Sequence, residues 1–320
     1  MKILVIGGTS FVGRHIVARM LEREHEVTLF NRGQTAPDAF PDAKVIKGDR
    51  NGDLSELDEG EWDATVDVNA YVHRQVRTLL EKLGERAGHY TFISTISVYG
   101  EDLPESGFTE DAPLLEPAWD DTLTMEKYGE LKVACEQVAR EYVGDRLLIV
   151  RPGYVIGPYD PTHRFTYWVE RVAAGGPMVG PDEDQPLQCI DGRDLAAVTV
   201  GGVERTVVDT FHATAPDEAP TFRKVLDQIA WGVGKESPDV AWIGPRDELP
   251  LSEPADWWPA MRADLSRAHG HGLWYRPLDE SARDTLAWVS EARHAGRYTP
   301  RQEYGFSSEK ERSLIASGGQ

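Results

Sequence analysis

Tyr128 and Lys132 stand four residues apart in the run Tyr128-Gly129-Glu130-Leu131-Lys132. The surrounding stretch, 125–142, has helical periodicity, and residues i and i+4 of a helix share one face. That pairing suits proton transfer. A phenol with a pKa near ~10 is a weak base at neutral pH, and a neighbouring cation favours its phenolate and lowers that value. Upstream, a β-type run ends in Ser94-Thr95-Ile96-Ser97. Hydroxyls at the carboxyl end of a central strand lie where open α/β sheets bind ligands. Any of Ser94, Thr95 and Ser97 could hold a substrate oxygen against the tyrosine. A surface aromatic beside a solvated lysine, and a strand end capped by hydroxyls, are the plain alternatives.

A second group of residues opens the chain. Ile3-Leu4-Val5-Ile6 runs into Gly7-Gly8-Thr9-Ser10-Phe11-Val12-Gly13, and a helical pattern follows at once. Strand, glycine turn and helix in that order are the context of a dinucleotide site. Gly7 permits the tight turn, Gly13 permits close packing of the helix, and free N–H groups across Thr9–Val12 can hold a pyrophosphate. Ser10 replaces the usual middle glycine, and its hydroxyl can donate to phosphate. The second strand ends Phe30-Asn31-Arg32-Gly33. An NAD site usually has an acid here for the ribose 2′-hydroxyl; Asn31 carries no charge and Arg32 can pair with a 2′-phosphate. NADP(H) is therefore favoured, with NAD(H) as the alternative. Asp49, beside Arg50, can accept from the adenine amino group. Asn69 and Ala70 close the fourth strand where the cofactor backbone passes, and Lys132 can donate to the nicotinamide ribose.

These groups need a scaffold that brings strand ends together. β-type runs occur at 3–6, 26–30, 44–46, 64–68, 89–93 and 146–150, with helical patterns at 11–23, 73–83 and 125–142. Continuous β-branched strands alternating with helices predict an α/β fold, a Rossmann-type doubly wound parallel sheet. After Arg151 proline and glycine interrupt often, and seven of the nine tryptophans lie beyond residue 150, which marks a smaller C-terminal substrate lobe. The predicted division is a dinucleotide-binding domain at 1–153 plus about 188–214, where Thr210–Ala213 rejoins the sheet. A substrate lobe takes about 154–187 and 215–300, and 301–320 is a frayed tail. Residues 101–126 hold nine acids and no base, a solvated loop or a lid over the cofactor.

Charge and composition exclude several classes. Acids outnumber bases 54 to 34, for a net charge of −20 with no basic half, so broad electrostatic binding of nucleic acid is not expected. No apolar run approaches the ~18 residues of a membrane span. The two cysteines, Cys135 and Cys189, are too few for a disulfide framework or a cysteine zinc site, and they point to a reducing cytoplasm. His269-Gly270-His271 has no acid or thiol partner in reach along the sequence, so no metal site is expected.

The ordered motifs together resemble the extended short-chain dehydrogenase/reductase family, its NAD-dependent epimerase/dehydratase group. They are the opening turn, Ser-Thr-x-x-Val-Tyr-Gly at 94–100, Tyr-Gly-x-x-Lys at 128–132, Arg-Pro-x-x-Val-x-Gly-Pro at 151–158, Ile190–Ala196 and Ala263–Ala268. The match covers most of the chain. The opening Gly-Gly-Thr-Ser-Phe-Val-Gly and Phe30-Asn31-Arg32-Gly33 are similar to a reductase-like bacterial subgroup, relatives of a chloroplast RNA-binding branch. The resemblance implies that Thr95 holds the substrate oxygen, Tyr128 is the acid/base and Lys132 tunes it. It also implies that Pro152, Gly153 and Val155 wall the nicotinamide.

Departures from the family pattern narrow the chemistry. Dehydratases of the family carry Asp-Glu after the catalytic threonine; Ile96 and Ser97 stand there and cannot remove water. Two arginines that grip a diphosphate in the epimerases are replaced by Leu187 and Glu253, and a common asparagine by Tyr154. Arg164 and Arg193 are candidates to compensate, and Cys189 lies on a strand leading to the pocket. The expected function is an NAD(P)(H)-dependent oxidoreductase acting on a secondary alcohol or ketone of a polar, sugar-like small molecule. A sugar or sugar-nucleotide epimerase is the alternative; a non-enzymatic RNA-binding or redox-sensing relative is the alternative of another class. A homodimer is expected from apolar positions on helices 74–83 and 125–142.

Overall fold

The computed structural model describes residues 1–100, 102–105 and 107–317. Glu101 and Ser106 of the acidic stretch, and Gly318–Gln320 of the expected tail, lie outside the described residues. Along the chain, β1 (Lys2–Ile6) leads through the glycine turn to α1 (Phe11–Glu22). Then come β2 (Glu26–Asn31), β3 (Lys44–Lys47), β4 (Ala64–Asp67), α2 (His73–Leu83), β5 (His89–Ile93), α3 (Tyr128–Val143) and β6 (Leu147–Pro152). The second part gives β7 (Tyr154–Ile156), α4 (Arg164–Ala174), β8 (Met178–Gly180), β9 (Cys189–Asp191), α5 (Gly192–Glu204) and β10 (Asp209–Ala213). It closes with α6 (Phe222–Gly232), β11 (Val240–Trp242), α7 (Ser266–Gly270), α8 (Leu278–His294) and α9 (Ser308–Ala316).

Seven strands form one parallel sheet in the order β3-β2-β1-β4-β5-β6-β10. Ile3 pairs with Val27 on one side and Ala64 on the other. Ile3–Ile6 are almost wholly buried, because helices cover both faces and a strand so covered must be apolar throughout. On one face α1 and α5 pack Ile16, Val17 and Met20 with Leu195 and Val198. On the other, α2 and α3 bring Val76, Leu79 and Leu80 against Cys135, Val138 and Ala139. Strand order reverses between β1 and β4, which opens a crevice at their carboxyl ends. A third core, around Trp168, Phe222 and Leu226, belongs to α4, α6 and α8. The two-stranded sheets β7-β9 and β8-β11 stand beside it.

One expectation changes. The stretch after 300 is docked rather than frayed as far as residue 317: α9 packs Leu314 and Ile315 on the third core, and Glu311 pairs with Arg171 at 3.0 Å. Of the apolar residues behind the homodimer expectation, Val76, Leu83, Val133 and Val138 are buried within the chain, while Tyr142 is exposed. Val133 fills a small cluster with Val98, Tyr99 and Phe108, while Arg74, Glu81, Gln137 and Glu141 face outward. No helix among the described residues is long and apolar enough to cross a membrane.

Candidate active site

A cleft of about 930 Å³ runs along the carboxyl ends of the strands. At one end lies the turn between β1 and α1. Gly7 has φ +104°, a conformation that favours glycine, and a Cβ there would stand 2.9 Å from Val68 Cγ2. A Cβ on Gly13 would come 2.9 Å from the Cα of Gly8, so both positions need glycine for close backbone approach. Ser10 is the N-cap of α1, yet its side chain makes no capping bond, and no acid sits in the first turn. The helix therefore presents uncapped N–H groups to the cleft, the environment that an anionic phosphate group matches. Thr9, Ser10, Phe11, Val12 and Gly13 all line this end.

Asn31 ties β2 to the turn. Its Nδ2 donates to the Gly7 carbonyl at 3.2 Å, and its Oδ1 accepts from the Gly33 N–H at 2.8 Å. Arg32 is exposed beside it, and both line the cleft with Asp49. Arg50 has another engagement. It is buried against Asp67 through two bonds of 2.7 and 2.8 Å, and it donates to Asn69 Oδ1 at 2.8 Å and the Gln75 carbonyl at 3.0 Å. Arg50 thus fixes Asn69 at the end of β4. Burial pushes the Asp67 carboxyl up, but the Arg50 guanidinium and hydrogen bonds from the Tyr90 hydroxyl and the Asn69 N–H together hold it below its ordinary value.

Tyr128 begins α3 and Lys132 follows one turn later, so both reach the cleft. Lys132 is 2% exposed. Its Nζ donates to the carbonyls of Ile93 at 2.7 Å and Ala70 at 3.0 Å. Burial pulls its ammonium down to about 8. Burial likewise pushes the Tyr128 phenol up to about 12, while a Thr95 hydrogen bond and the Arg164 charge act in the opposite direction. In the chain by itself desolvation dominates, and the Arg164 charge offsets part of it. Thr95 is nearly buried at the end of β5, where its Oγ1 caps the following 3-10 turn by accepting from the Ser97 N–H at 3.1 Å. Ser94 turns away and donates to buried Glu136 at 2.6 Å.

Most predicted residues meet in this one cleft: Ser94, Thr95, Ser97, Tyr128, Lys132, Pro152, Gly153, Tyr154, Val155 and Arg164 line it with the glycine turn. Three do not. Ala70 is wholly buried and contributes only its carbonyl, to Lys132. Cys189 packs into the third core with its thiol pushed by burial up to about 12, so it does not face substrate. Arg193 caps its own region by pairing with Asp191 at 2.8 Å and Asp284 at 2.6 Å. The sequence reading missed Trp257 and Met261 as lining residues, and noted Glu253 only as a lost arginine. Their signal was the tryptophan-rich second half. Leu123 and Met125 of the acidic stretch also line the cleft mouth, and Met125 is 76% exposed.

The sheet order and the glycine turn define a Rossmann-type nucleotide-binding fold. The chain belongs to the NAD dependent epimerase/dehydratase family, whose model matches residues 3–76 and 58–205; it is thus an enzyme of the extended short-chain dehydrogenase/reductase type. It is similar to the chloroplast stem-loop binding protein of 41 kDa b of Arabidopsis thaliana, 26% identical over 77% of this chain and 67% of that protein. It is also similar to UDP-glucose 4-epimerase of Corynebacterium glutamicum, 32% identical over 44% of this chain and 46% of that one. Among solved structures, UDP-glucuronic acid 4-epimerase from Bacillus cereus in complex with NAD superposes with a TM-score of 0.68. It is 20% identical, over 91% of this chain and 99% of that one, a likeness of fold.

Proposed function

We propose that this chain is a nicotinamide-dependent oxidoreductase acting at a secondary alcohol or ketone of a polar small molecule, with Tyr128 as its acid/base. The observation that supports this most is the meeting of Tyr128, Thr95 and Lys132 in the same cleft as an uncapped helix terminus behind a glycine turn. The cradle fits a dinucleotide: a side chain on Gly7 or Gly13 would collide with the turn and the end of β4, and the first turn of α1 carries no acid to repel phosphate.

When bound, the nicotinamide supplies or takes up the hydride. The chain's own part is to hold the substrate oxygen between Thr95 and Tyr128 and to move one proton there. A phenol pushed up to about 12 keeps its proton at neutral pH, so Tyr128 donates to a carbonyl oxygen as its electron density rises. Lys132, anchored by two carbonyls, fixes the floor of the site. Asn31 and Arg32 favour a cofactor with a 2′-phosphate, NADP(H), because neither opposes its charge.

Epimerisation is the second reading, favoured by the family match; it uses the proton transfer once in each direction, from the substrate hydroxyl to Tyr128 and back. Net cofactor turnover separates the two. Purified protein is incubated with NADPH or NADP⁺ and a panel of sugars, polyols and ketones, and nicotinamide absorbance is followed with product epimers. The expected result is a net absorbance change with at least one compound. Epimers forming over a constant cofactor pool would establish the second reading.

A further inference from the structure

Beyond Tyr128 the cleft is closed by a wall from the second half of the chain, and that wall is rigidly built. Glu253 is pinned at both backbone ends: its N–H donates to Gln185 Oε1 at 3.0 Å, and its carbonyl accepts from Trp258 Nε1 at 3.2 Å. Gln185 is itself fully buried and donates to the Leu251 carbonyl at 2.7 Å. The Glu253 carboxylate accepts the Tyr154 hydroxyl. The Arg164 guanidinium lies over the Tyr154 ring, 4.8 Å from its centre, and donates to Thr162 Oγ1 at 3.2 Å. Trp257, 37% exposed, lines the same wall.

These groups have a definite chemistry. A carboxylate fixed in place accepts hydrogen bonds from hydroxyls, a guanidinium and a phenol donate them, and an indole covers the apolar C–H face of a ring. A diphosphate would meet one guanidinium and one carboxylate where it needs a net positive wall. Its charge would face Glu253 in a partly desolvated wall whose one guanidinium, Arg164, is held over the Tyr154 ring and against Thr162, in a chain whose net charge is −20. Discrimination of this kind rests on a repulsive element as much as on attractive ones.

We infer that the cleft takes an uncharged polyhydroxylated carbonyl compound or its alcohol, a free sugar or polyol, and rejects nucleoside diphosphate sugars, with Glu253 as the residue that decides. The inference rests on the oxidoreductase reading above. Its test compares turnover of free aldoses and polyols (glucose, galactose, mannose, xylose, sorbitol) with UDP-glucose, and measures UDP binding by calorimetry to the wild type, Glu253→Gln and Glu253→Arg. Wild-type kcat/KM is expected to be at least about tenfold higher for one free sugar or polyol than for UDP-glucose. UDP should bind at least about tenfold tighter to Glu253→Arg than to the wild type, and Glu253→Gln should raise the sugar KM with NADPH affinity unchanged. Glu253→Gln keeps an acceptor for the Tyr154 hydroxyl and should melt close to the wild type, while Glu253→Arg loses it and should melt somewhat lower but remain folded at the assay temperature, since the backbone bonds of residue 253 are kept. UDP-glucose as the preferred substrate, or UDP affinity unchanged in both variants, overturns the inference. If UDP-glucose is turned over and Tyr128→Phe abolishes it, the oxidoreductase reading stands and this inference falls. If no compound drives net cofactor turnover while UDP affinity responds to Glu253 as stated, the carboxylate's role stands and the reaction reading falls.

Discussion

At the scale of single residues, position in the fold sets what each group can do. Tyr128 and Lys132 are both desolvated, and burial moves them in opposite directions, the phenol up to about 12 and the ammonium down to about 8. In the proposed reaction, removing the phenol hydroxyl removes the proton carrier and little else. Tyr128→Phe is expected to lower turnover at least ~100-fold, the scale of general acid–base catalysis, with NADPH affinity within a few-fold by fluorescence titration. Retained turnover would take Tyr128 out of the mechanism. Arg32 stands exposed at the glycine-turn end of the cleft, where Asn31 is committed to Gly7 and Gly33. Arg32→Asp should therefore weaken NADPH binding and leave NADH relatively favoured. An unchanged ratio of the two affinities would show that Arg32 does not meet the 2′-phosphate.

At the scale of elements, the alternation of strands and helices in the first half was legible because apolar runs there are continuous and bounded by glycine and charge. The glycine turn and the Tyr128–Lys132 spacing carried the site for the same reason: both are local. What was not legible depends on distant pairs. The Tyr154–Glu253 contact joins residues 99 apart, and β7, β8, β9 and β11 are each three residues long, too short for a period to show. A buried polar chain behind β5 was equally hidden. Glu136 holds Ser94 and, through bonds of 2.9 and 2.6 Å, Arg151; Arg151 donates to the Tyr99 hydroxyl at 2.5 Å, and that hydroxyl meets His212 Nε2 at 2.7 Å.

This buried chain gives an element-scale prediction. His212 on β10 is fully buried, and burial lowers it to about 4 from 6.5. It faces Tyr99, Arg151, the Asp264 carbonyl and Glu110, whose carboxyl oxygen lies 3.6 Å from Nδ1. Between pH 6.5 and 4 the unfolded chain binds this proton and the folded one does not, so stability rises with pH across that window and is lost as pH falls through it. The full shift corresponds to about 3 kcal/mol. Glu110, raised by burial, works in the opposite direction and softens the loss. His212→Gln keeps an acceptor for Tyr99 and removes the titration. Its denaturant midpoint is expected to fall less than the wild type's between pH 6.5 and 4. Parallel curves for the two proteins would exclude His212 as a source of acid sensitivity.

At the scale of the whole molecule, charge decides which large partners can approach. One relative is named for stem-loop binding, so the RNA question is a real one for this fold. Affinity for a phosphate backbone comes from uncompensated cations arranged along a face, and its signature is a steep loss with salt. This chain has 34 basic residues against 54 acids, and the arginines outside the cleft are largely engaged. Arg23 pairs with Glu204, Arg74 with Asp121, Arg223 with Glu183, Arg267 with Asp111 and Arg276 with Asp194. Arg32 is exposed at the cleft beside Lys44 and Lys47 of β3, but this short group at one sheet edge does not extend into a stripe along a face. Non-specific binders reach dissociation constants of about 10⁻⁴–10⁻⁶ M through several phosphate contacts, and repulsion from a net charge of −20 acts against each of them. The expected outcome of a filter-binding titration with a stem-loop RNA at low salt is no retention at micromolar protein, with or without NADPH. Tight retention that weakens steeply as salt rises would show a cationic surface whose ion pairs open on binding, and would return the RNA-binding alternative to first place.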